Sequence, residues 1–269
     1  MGSGWKNDIL SMKNILITGL MICLAHSLYG QTYVASASNP ADNGTNATTT
    51  ISATMPAGIA NGDLLVIVAQ SRATSSDINM SVANQGGQTW RDAEVNVNET
   101  TLTARVFFCR YNGTTSGTVD VIFDDGTCTS VTTHAFRPNI ASNSWALDQP
   151  AAITSQGVPG GPPYVFTITG LTSTVNDVVA LALFFTADDN TWFVVPGSTW
   201  TALATTQYRN LAGTDQSMSI AYQFLEIAGE DSGNLDQRQT LEGPDAGATV
   251  QILFREFIPT NKGFPVGNF

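Results

Sequence analysis

Two short apolar runs, each framed by turn residues, constrain the fold of this chain more than any other feature. The first is "GDLLVIVAQSR" at residues 62–72, and the second is "NDVVALALFFTADD" at residues 176–189. Apolar runs of this length between turn residues are typical of β-strands that are buried on both faces. No long amphipathic helix pattern occurs in the chain. We therefore expect each run to form a central strand of a sheet.

Other segments alternate between apolar and polar residues, as half-buried strands do. They predict strands at 32–37, 47–54, 100–112, 117–126, 127–138, 164–171, 217–226 and 247–257. The segments 100–112 and 117–126 are expected to form a hairpin, with Val119, Val121 and Phe123 on one face. About ten short strands separated by turn residues indicate an all-β fold, an antiparallel β-sandwich.

The second half of the chain repeats the order of phrases in the first. A buried strand, a Gly-x-Thr-Trp loop, an aromatic strand and a closing strand recur, with Asp63 matching Asp177 and Trp90 matching Trp200. This predicts an internal duplication. The first half is expected at 31–149, a Pro/Gly-rich connection at 150–163, the second half at 164–259 and an irregular tail at 260–269. The two halves could be separate small sandwiches or interlocked parts of one sandwich.

The N-terminus has the pattern of a secretory signal peptide. From Met12, a lysine at position 13 precedes an apolar stretch from Ile15 to Ala25, and small and polar residues follow as far as Gly30. A membrane span needs about 20 apolar residues, so this stretch is too short. We expect residues 1–30 to be a signal peptide with an N-terminal extension, and the mature chain to be extracellular or at the cell surface with no membrane span.

The charge of the chain argues against one class of partner. The formal net charge is -11 and the isoelectric point is near 4.3. Such a surface repels phosphate backbones, so nucleic acid is not expected to bind.

Cys109 and Cys128 remain after removal of the signal peptide. Export into an oxidising compartment favours a disulfide between them, and two reduced, buried thiols are the alternative. The closed loop would hold about 20 residues and contribute roughly 3 kcal/mol.

Residues with catalytic patterns are scarce, and we expect no enzyme. His134 is the only histidine left after signal removal, and its place in a predicted strand indicates a structural or surface role. The acidic clusters at 124–126, 187–190 and 229–231 are better explained as turns, since Asp and Asn stabilise turns through their own backbone.

A ligand site is expected, if anywhere, around Asp188, Asp189 and Trp192. No cofactor is expected, and a structural role for these carboxylates is the alternative to Ca²⁺, the metal that loop carboxylates suit. An exposed tryptophan could stack on a sugar ring. Trp90 and Trp200 stand in matching places, so we expect each of them to fill one end of a core.

The order "PAGIANGDLLVIV", Gly-x-Thr-Trp, "ARVFFCRYNG" and "GTVDVIF" resembles a jelly-roll-like β-sandwich type found in bacterial secreted or surface proteins and in phage tail or virion proteins. The resemblance covers residues 50–257 and rests on structural motifs. It departs from the type at the loop, where tryptophan follows threonine. It implies no catalytic residues, and the signal peptide favours the bacterial surface group.

These features together predict a secreted, non-enzymatic protein that acts as a structural or adhesive component of a cell surface or extracellular assembly. Its expected partners are other copies of itself, bound through open strand edges. The alternatives are a carbohydrate-binding module for surface glycans, with Trp192 in its site, and a phage virion or tail component.

Overall fold

The structure is a computed structural model, and it is described for most of the chain between residues 30 and 259. The described residues are 30–39, 49–72, 78–83, 86–99, 102–114, 117–124, 128–156, 164–187, 192–194, 198–203, 208–210, 216–239 and 247–259. Every helix or strand assigned in these residues is a β-strand, and none is a helix that could span a membrane. The predicted signal peptide, apart from Gly30, and the predicted tail lie outside the described residues.

The first half of the chain forms two antiparallel sheets. The larger sheet has the order β1-β9-β3-β7-β5, with β6 also paired to β7, and the smaller has the order β2-β8-β4. The strands are β1 (Thr32–Asn39), β2 (Thr50–Thr54), β3 (Leu64–Arg72), β4 (Met80–Val82), β5 (Arg91–Asp92), β6 (Val97–Glu99), β7 (Leu102–Arg110), β8 (Thr118–Phe123) and β9 (Cys128–Arg137).

The second half forms two further antiparallel sheets. The larger has the order β10-β19-β13-β17-β15, with β11 paired to β19 and β16 paired to β17, and the smaller has the order β12-β18-β14. The strands are β10 (Ser144–Leu147), β11 (Ala152–Gln156), β12 (Tyr164–Ile168), β13 (Val178–Thr186), β14 (Trp192–Val194), β15 (Thr201–Ala202), β16 (Tyr208–Asn210), β17 (Gln216–Leu225), β18 (Leu235–Gln239) and β19 (Gly247–Phe257).

The two halves arrange their strands in the same order. In the large sheets, β3 lies between β9 and β7 as β13 lies between β19 and β17, and in the small sheets β8 is central as β18 is. The two apolar runs of the sequence are therefore the central strands of the two large sheets. Both are buried on both faces, as their composition predicts.

Alternate residues of these central strands enter different cores. Leu64 and Val66 of β3 share one core with Val179 and Leu181 of β13, so the two large sheets pack face to face. The intervening residues, such as Leu65, pack beneath the small sheet of their own half. The described chain is thus a four-layer stack of a small sheet, two large sheets and a second small sheet.

This stack decides between the two arrangements that the sequence left open. Each half is a two-sheet sandwich with its own core, and the two sandwiches share a third core between them. An antiparallel all-β sandwich fold is therefore confirmed.

Two expectations from the sequence differ from the structure. Strands β7 and β8 do not form a hairpin: β7 pairs with β3, β5 and β6, whereas β8 pairs with β2 and β4. Consecutive strands cross from one sheet to the other here, so alternation alone could not show their pairing. In addition, β10 and β11 both pair with β19, so residues 144–156 belong to the second large sheet, ahead of its predicted start.

Candidate functional site

Trp192 does not present its ring to solvent. It is only 1% exposed, and its ring contacts Phe166 edge-on with the centroids 5.0 Å apart. Its indole nitrogen donates a hydrogen bond to the Ser217 hydroxyl at 3.0 Å. Because both faces are enclosed by the second sandwich, the expected stacking of Trp192 on a sugar is wrong. Asp188 and Asp189 lie outside the described residues, so the Ca²⁺ expectation there stays a prediction.

The matched tryptophans pack as expected. Trp200 is buried in the core of the second sandwich, and Trp90 is partly buried against the core of the first. Trp145 in β10 is also buried, and it donates a hydrogen bond from its indole nitrogen to the Gly62 carbonyl at 3.0 Å.

His134 is a core residue of β9. It is fully buried, and one ring nitrogen lies 3.1 Å from the Thr132 hydroxyl. Burial lowers the pKa of His134 to about 3, because an imidazolium would lose its hydration there. The ring is therefore neutral at ordinary pH, in agreement with a structural role.

The predicted disulfide is not formed in this structure. Cys109 is a free, buried thiol, and burial raises its pKa. Cys109 stands opposite Leu65 on β3, whereas Cys128 stands opposite Arg72, seven positions farther along the same strand. At about 3.3 Å per residue, this separation is far beyond the Cα distance that a disulfide spans.

The cluster 229–231 follows a turn, as expected, whereas of the other two clusters only Asp124 is an acidic residue within the described part of the chain. Asp124 accepts hydrogen bonds from the backbone and side-chain nitrogens of Asn79. Asp231 accepts from the Gly233 backbone nitrogen, and Glu230 accepts from the Glu226 backbone nitrogen. In the part of the chain that the structure describes, no three His, Cys, Asp or Glu residues are placed to hold a metal ion.

A cleft lies where the first large sheet meets the segment that leads into the second half. Its volume is about 350 Å³. Polar side chains dominate its walls, together with two aromatic ones; the lining residues are Gly87, Gln88, Thr89, Arg91, Phe108, Cys109, Arg110, Asn112, Ser144 and Trp145. The loop 86–90 and strands β5, β7 and β10 therefore build a single concave surface.

Strand register places two arginines on the same face of this cleft. Arg91 on β5 stands opposite Phe108 on β7, and Arg110 lies two residues farther along β7. Residues directly opposite each other, and residues two apart on one strand, point to the same side of a sheet. Arg91 and Arg110 are thus diagonal cross-strand neighbours, with their Cα atoms about 7–8 Å apart.

Arg110 is held rigidly by the segment 141–143. Its Nε donates to the Asn143 carbonyl at 2.7 Å, one terminal nitrogen donates to the Ala141 carbonyl at 2.7 Å, and the other donates to the Asn61 side chain at 3.1 Å. Gln88 fixes the loop below it, because its amide donates to the Arg110 carbonyl and accepts from the Asn112 backbone nitrogen. The wall of the cleft is therefore preorganised.

The segment 139–143 is also tied to the second half, through Glu256. The Glu256 carboxylate accepts hydrogen bonds from the backbone nitrogens of Asn139 and Ile140 and from the Asn143 amide, at 2.8–2.9 Å. Asp177 lies beside it and accepts from the Asn139 amide at 2.6 Å. Desolvation and the charge of Glu256 raise the pKa of Asp177, although Asn139 partly offsets this.

Strand β1 forms one edge of the first large sheet. Within the described residues it pairs only with β9, so its second hydrogen-bonding edge has no strand partner there. It is eight residues long, the longest strand that ends a described sheet. Its sequence, TYVASASN, contains no charged residue and no proline.

Comparisons with protein-family models, curated proteins and solved structures found nothing that matches this chain.

Proposed function

We propose that this chain is a secreted, non-enzymatic protein that acts as a structural or adhesive component of a cell surface or extracellular assembly. In this proposal, copies of the chain join one another by strand addition. The observation that carries the proposal is the edge strand β1, because its length and composition leave it without the usual protection against pairing.

Proteins protect edge strands with charged side chains, proline, short length or strong bulges. The opposite edge of the same sheet has two of these devices: β5 and β6 are two and three residues long, and they carry Arg91, Asp92 and Glu99. Strand β1 has only one irregularity, between Tyr33 and Ala35, and the register is regular from Ala35 to Asn39. This asymmetry favours β1 as the strand that adds to a second chain.

A second copy of the chain offers the simplest partner. Two β1 strands that pair antiparallel are related by a two-fold axis, which is the commonest symmetry of homo-oligomers. Such pairing joins two large sheets into one continuous sheet and satisfies the backbone groups of both edges.

Light scattering on the purified chain tests this proposal. We expect the average mass to rise with protein concentration in the wild type, and Ser38→Lys to keep the chain monomeric, since a charged side chain on an edge opposes strand addition. A wild-type chain that stays monomeric at its highest soluble concentration would refute self-association.

The matched control is Ile122→Lys. Ile122 is exposed on β8, which is paired on both sides, so a lysine there adds the same charge away from any edge. We expect this variant to associate as the wild type does. Equal loss of association in both variants would show that net charge, and not the β1 edge, controls the mass.

We propose that residues 1–30 direct export. Expression with the native N-terminus in a bacterial host should yield an extracellular or periplasmic protein that begins near Gln31. Leu20→Arg, which interrupts the apolar stretch, should retain the chain in the cytoplasm. An unprocessed wild-type chain in the cytoplasm would contradict the proposal.

We also propose that the two halves descend from one duplicated jelly-roll-like unit. The same strand order in both large sheets and in both small sheets supports this, together with the order of phrases repeated in the sequence. A related chain with a single such unit would strengthen the proposal. Relatives in which only one half keeps this strand order would weaken it.

A carbohydrate-binding role is the second candidate. Trp192 is buried and does not support it, but the cleft lined by Arg91 and Arg110 does, because it is concave and polar. A virion or tail component would use the same open edge, and the neighbouring genes would distinguish that alternative.

A further inference from the structure

The cleft between the first large sheet and β10 has the features of a small-ligand site. Its volume of about 350 Å³ lies at the lower end of the range typical of such sites. It lies where the two halves of the molecule meet, and sites are common at such junctions. The hydrogen bonds of Gln88 and Arg110 hold its wall in place before any ligand arrives.

The charge of the cleft is opposite to that of the chain. The chain has 11 lysines and arginines against 22 aspartates and glutamates, yet two arginines meet on this one face. Arg91 is exposed, and within the described residues it has no hydrogen-bonded or ionic partner. Arg110 is half-buried and directs three nitrogens at Asn61, Ala141 and Asn143, so two of its five N–H groups remain for a ligand.

Two guanidinium groups from diagonal positions suit one carboxylate. Arginine side chains are long enough to converge across a separation of about 7–8 Å, and guanidinium matches carboxylate geometry in paired hydrogen bonds. A monoanion is favoured over a doubly charged phosphate, because the strongly acidic chain repels a dianion more.

The other side chains of the cleft favour a sugar as the carrier of that carboxylate. Thr89 and Ser144 also line the cleft, and both carry hydroxyl groups. Hydroxyl groups both donate and accept, as the hydroxyl groups of a sugar ring require. Phe108 and Trp145 add apolar surface at the base of the cleft.

We propose that this cleft binds a carboxylate-bearing sugar, a uronic acid residue, with Arg91 and Arg110 holding the carboxylate and Thr89 and Ser144 holding ring hydroxyl groups. The site is separate from the β1 edge, so a test of ligand binding and a test of self-association can fail independently.

Calorimetric titration of the purified chain tests the site. The probes are the monoanions galacturonate and glucuronate, with neutral galactose as the comparison. We expect at least one uronate to bind, galactose to bind far more weakly, and added salt to weaken the uronate complex. Absence of uronate binding, or equal binding of galactose, would overturn the proposal.

Arg91→Gln is the variant of choice, because Arg91 is exposed and its loss should leave the fold intact. A charge-assisted pair lost from the site should weaken uronate binding about tenfold or more. Arg91→Lys should recover only part of the affinity, since lysine cannot form the paired hydrogen bonds.

Arg238→Gln is the matched control, because Arg238 is an exposed arginine on β18, far from the cleft in the layer order. It should bind uronate as the wild type does. Equal weakening by Arg91→Gln and Arg238→Gln would assign the effect to net charge and overturn the site, and thermal melts of both variants would confirm that the chain stays folded.

Discussion

The central strands of the two small sheets, β8 and β18, hold the same place in the two halves but present different side chains to their cores. Strand β8 buries Val119, Val121 and Phe123, whereas β18 buries Leu235, Gln237 and Gln239. The strand order is the same in both halves, so this arrangement accommodates either apolar or polar side chains at the buried positions of its central strand. Within the described residues the Gln237 amide has no hydrogen-bond partner, so its burial carries a desolvation cost that the apolar side chains of β8 do not.

The two turns before the central strands differ as well. Asp63 in the first half is buried and forms an ion pair with Arg137 at 3.1 Å. Asp177 in the second half lies beside Glu256, so a like charge stands where the first half has a partner. Electrostatic interactions therefore favour the first turn and oppose the second.

Replacing Val121 of β8 by glutamine, the residue at the matching position 237 of β18, should give the largest change in stability. Val121→Gln places an amide among the apolar side chains of the first sandwich core, and we expect the free energy of unfolding to fall by about 4 kcal/mol. Urea denaturation measures this. The control is Ile122→Gln on the exposed side of the same strand, where we expect a change within about 0.5 kcal/mol. Similar losses in both variants would contradict the burial argument.

Gly62 should be the next most sensitive position. Its φ is +103°, and a Cβ there would lie 2.5 Å from the Ala141 carbonyl oxygen. Gly62→Ala therefore combines backbone strain with a steric clash against Ala141 in the segment 139–143. We expect the free energy of unfolding to fall by about 3 kcal/mol.

Gly117→Ala separates the two causes. Gly117 also has a positive φ, +86°, but a Cβ at this position would have nothing within 4 Å in the described part of the chain. We expect a loss of about 1 kcal/mol in the same denaturation experiment. Equal losses at both glycines would mean that the contact with Ala141 carries no cost.

Replacing a buried glutamine of β18 by an apolar residue should stabilise the chain. Gln237 is fully buried, and within the described residues neither its amide nitrogen nor its amide oxygen has a hydrogen-bond partner. Gln237→Leu should raise the free energy of unfolding by about 1–2 kcal/mol. Gln239→Leu is the control, because its amide donates to the Ser217 hydroxyl and its loss should not stabilise. A Gln237→Leu variant less stable than the wild type would contradict this prediction.

Asp177→Asn should give the smallest effect, and one that depends on pH. The raised pKa of Asp177 means that its protonation favours the folded state; this contribution is full below the ordinary pKa of about 3.9 and is lost as pH rises through the folded pKa. The asparagine removes the cost of desolvating a carboxylate and the repulsion from Glu256, and it tolerates the positive φ of +57°.

At neutral pH we therefore expect Asp177→Asn to stabilise the chain by up to about 1 kcal/mol, and the gain to vanish in acid. Denaturation at both pH values measures the difference from the wild type. A gain of equal size in acid would show that the negative charge of Asp177 is not its cause.

Much of the fold could be predicted from the sequence, because the signals are local. The apolar run at 64–69 required a strand with both faces buried, and the alternation at 119–123 placed the correct residues in a core. The candidate site could not be predicted in the same way. Arg91 and Arg110 are far apart in the sequence, and only the pairing of β5 with β7 brings them onto one face. The acidic residues before Trp192 suggested a ligand site in the sequence. Its burial depends on contacts with Phe166 and Ser217, which are distant in the sequence and could not be read from it.

The sequence by itself determined that this protein is built from short strands with buried central runs, and that the same order of strands occurs twice. Side-chain periodicity and turn residues encode these properties over a few neighbouring residues. Only the tertiary structure decided that the two sandwiches stack through their large sheets, that Cys109 and Cys128 lie apart, and that a cleft with two arginines opens at the junction. These properties depend on which strands pair and which faces meet. Many alternative pairings would bury a similar apolar area, so the local sequence does not select one of them.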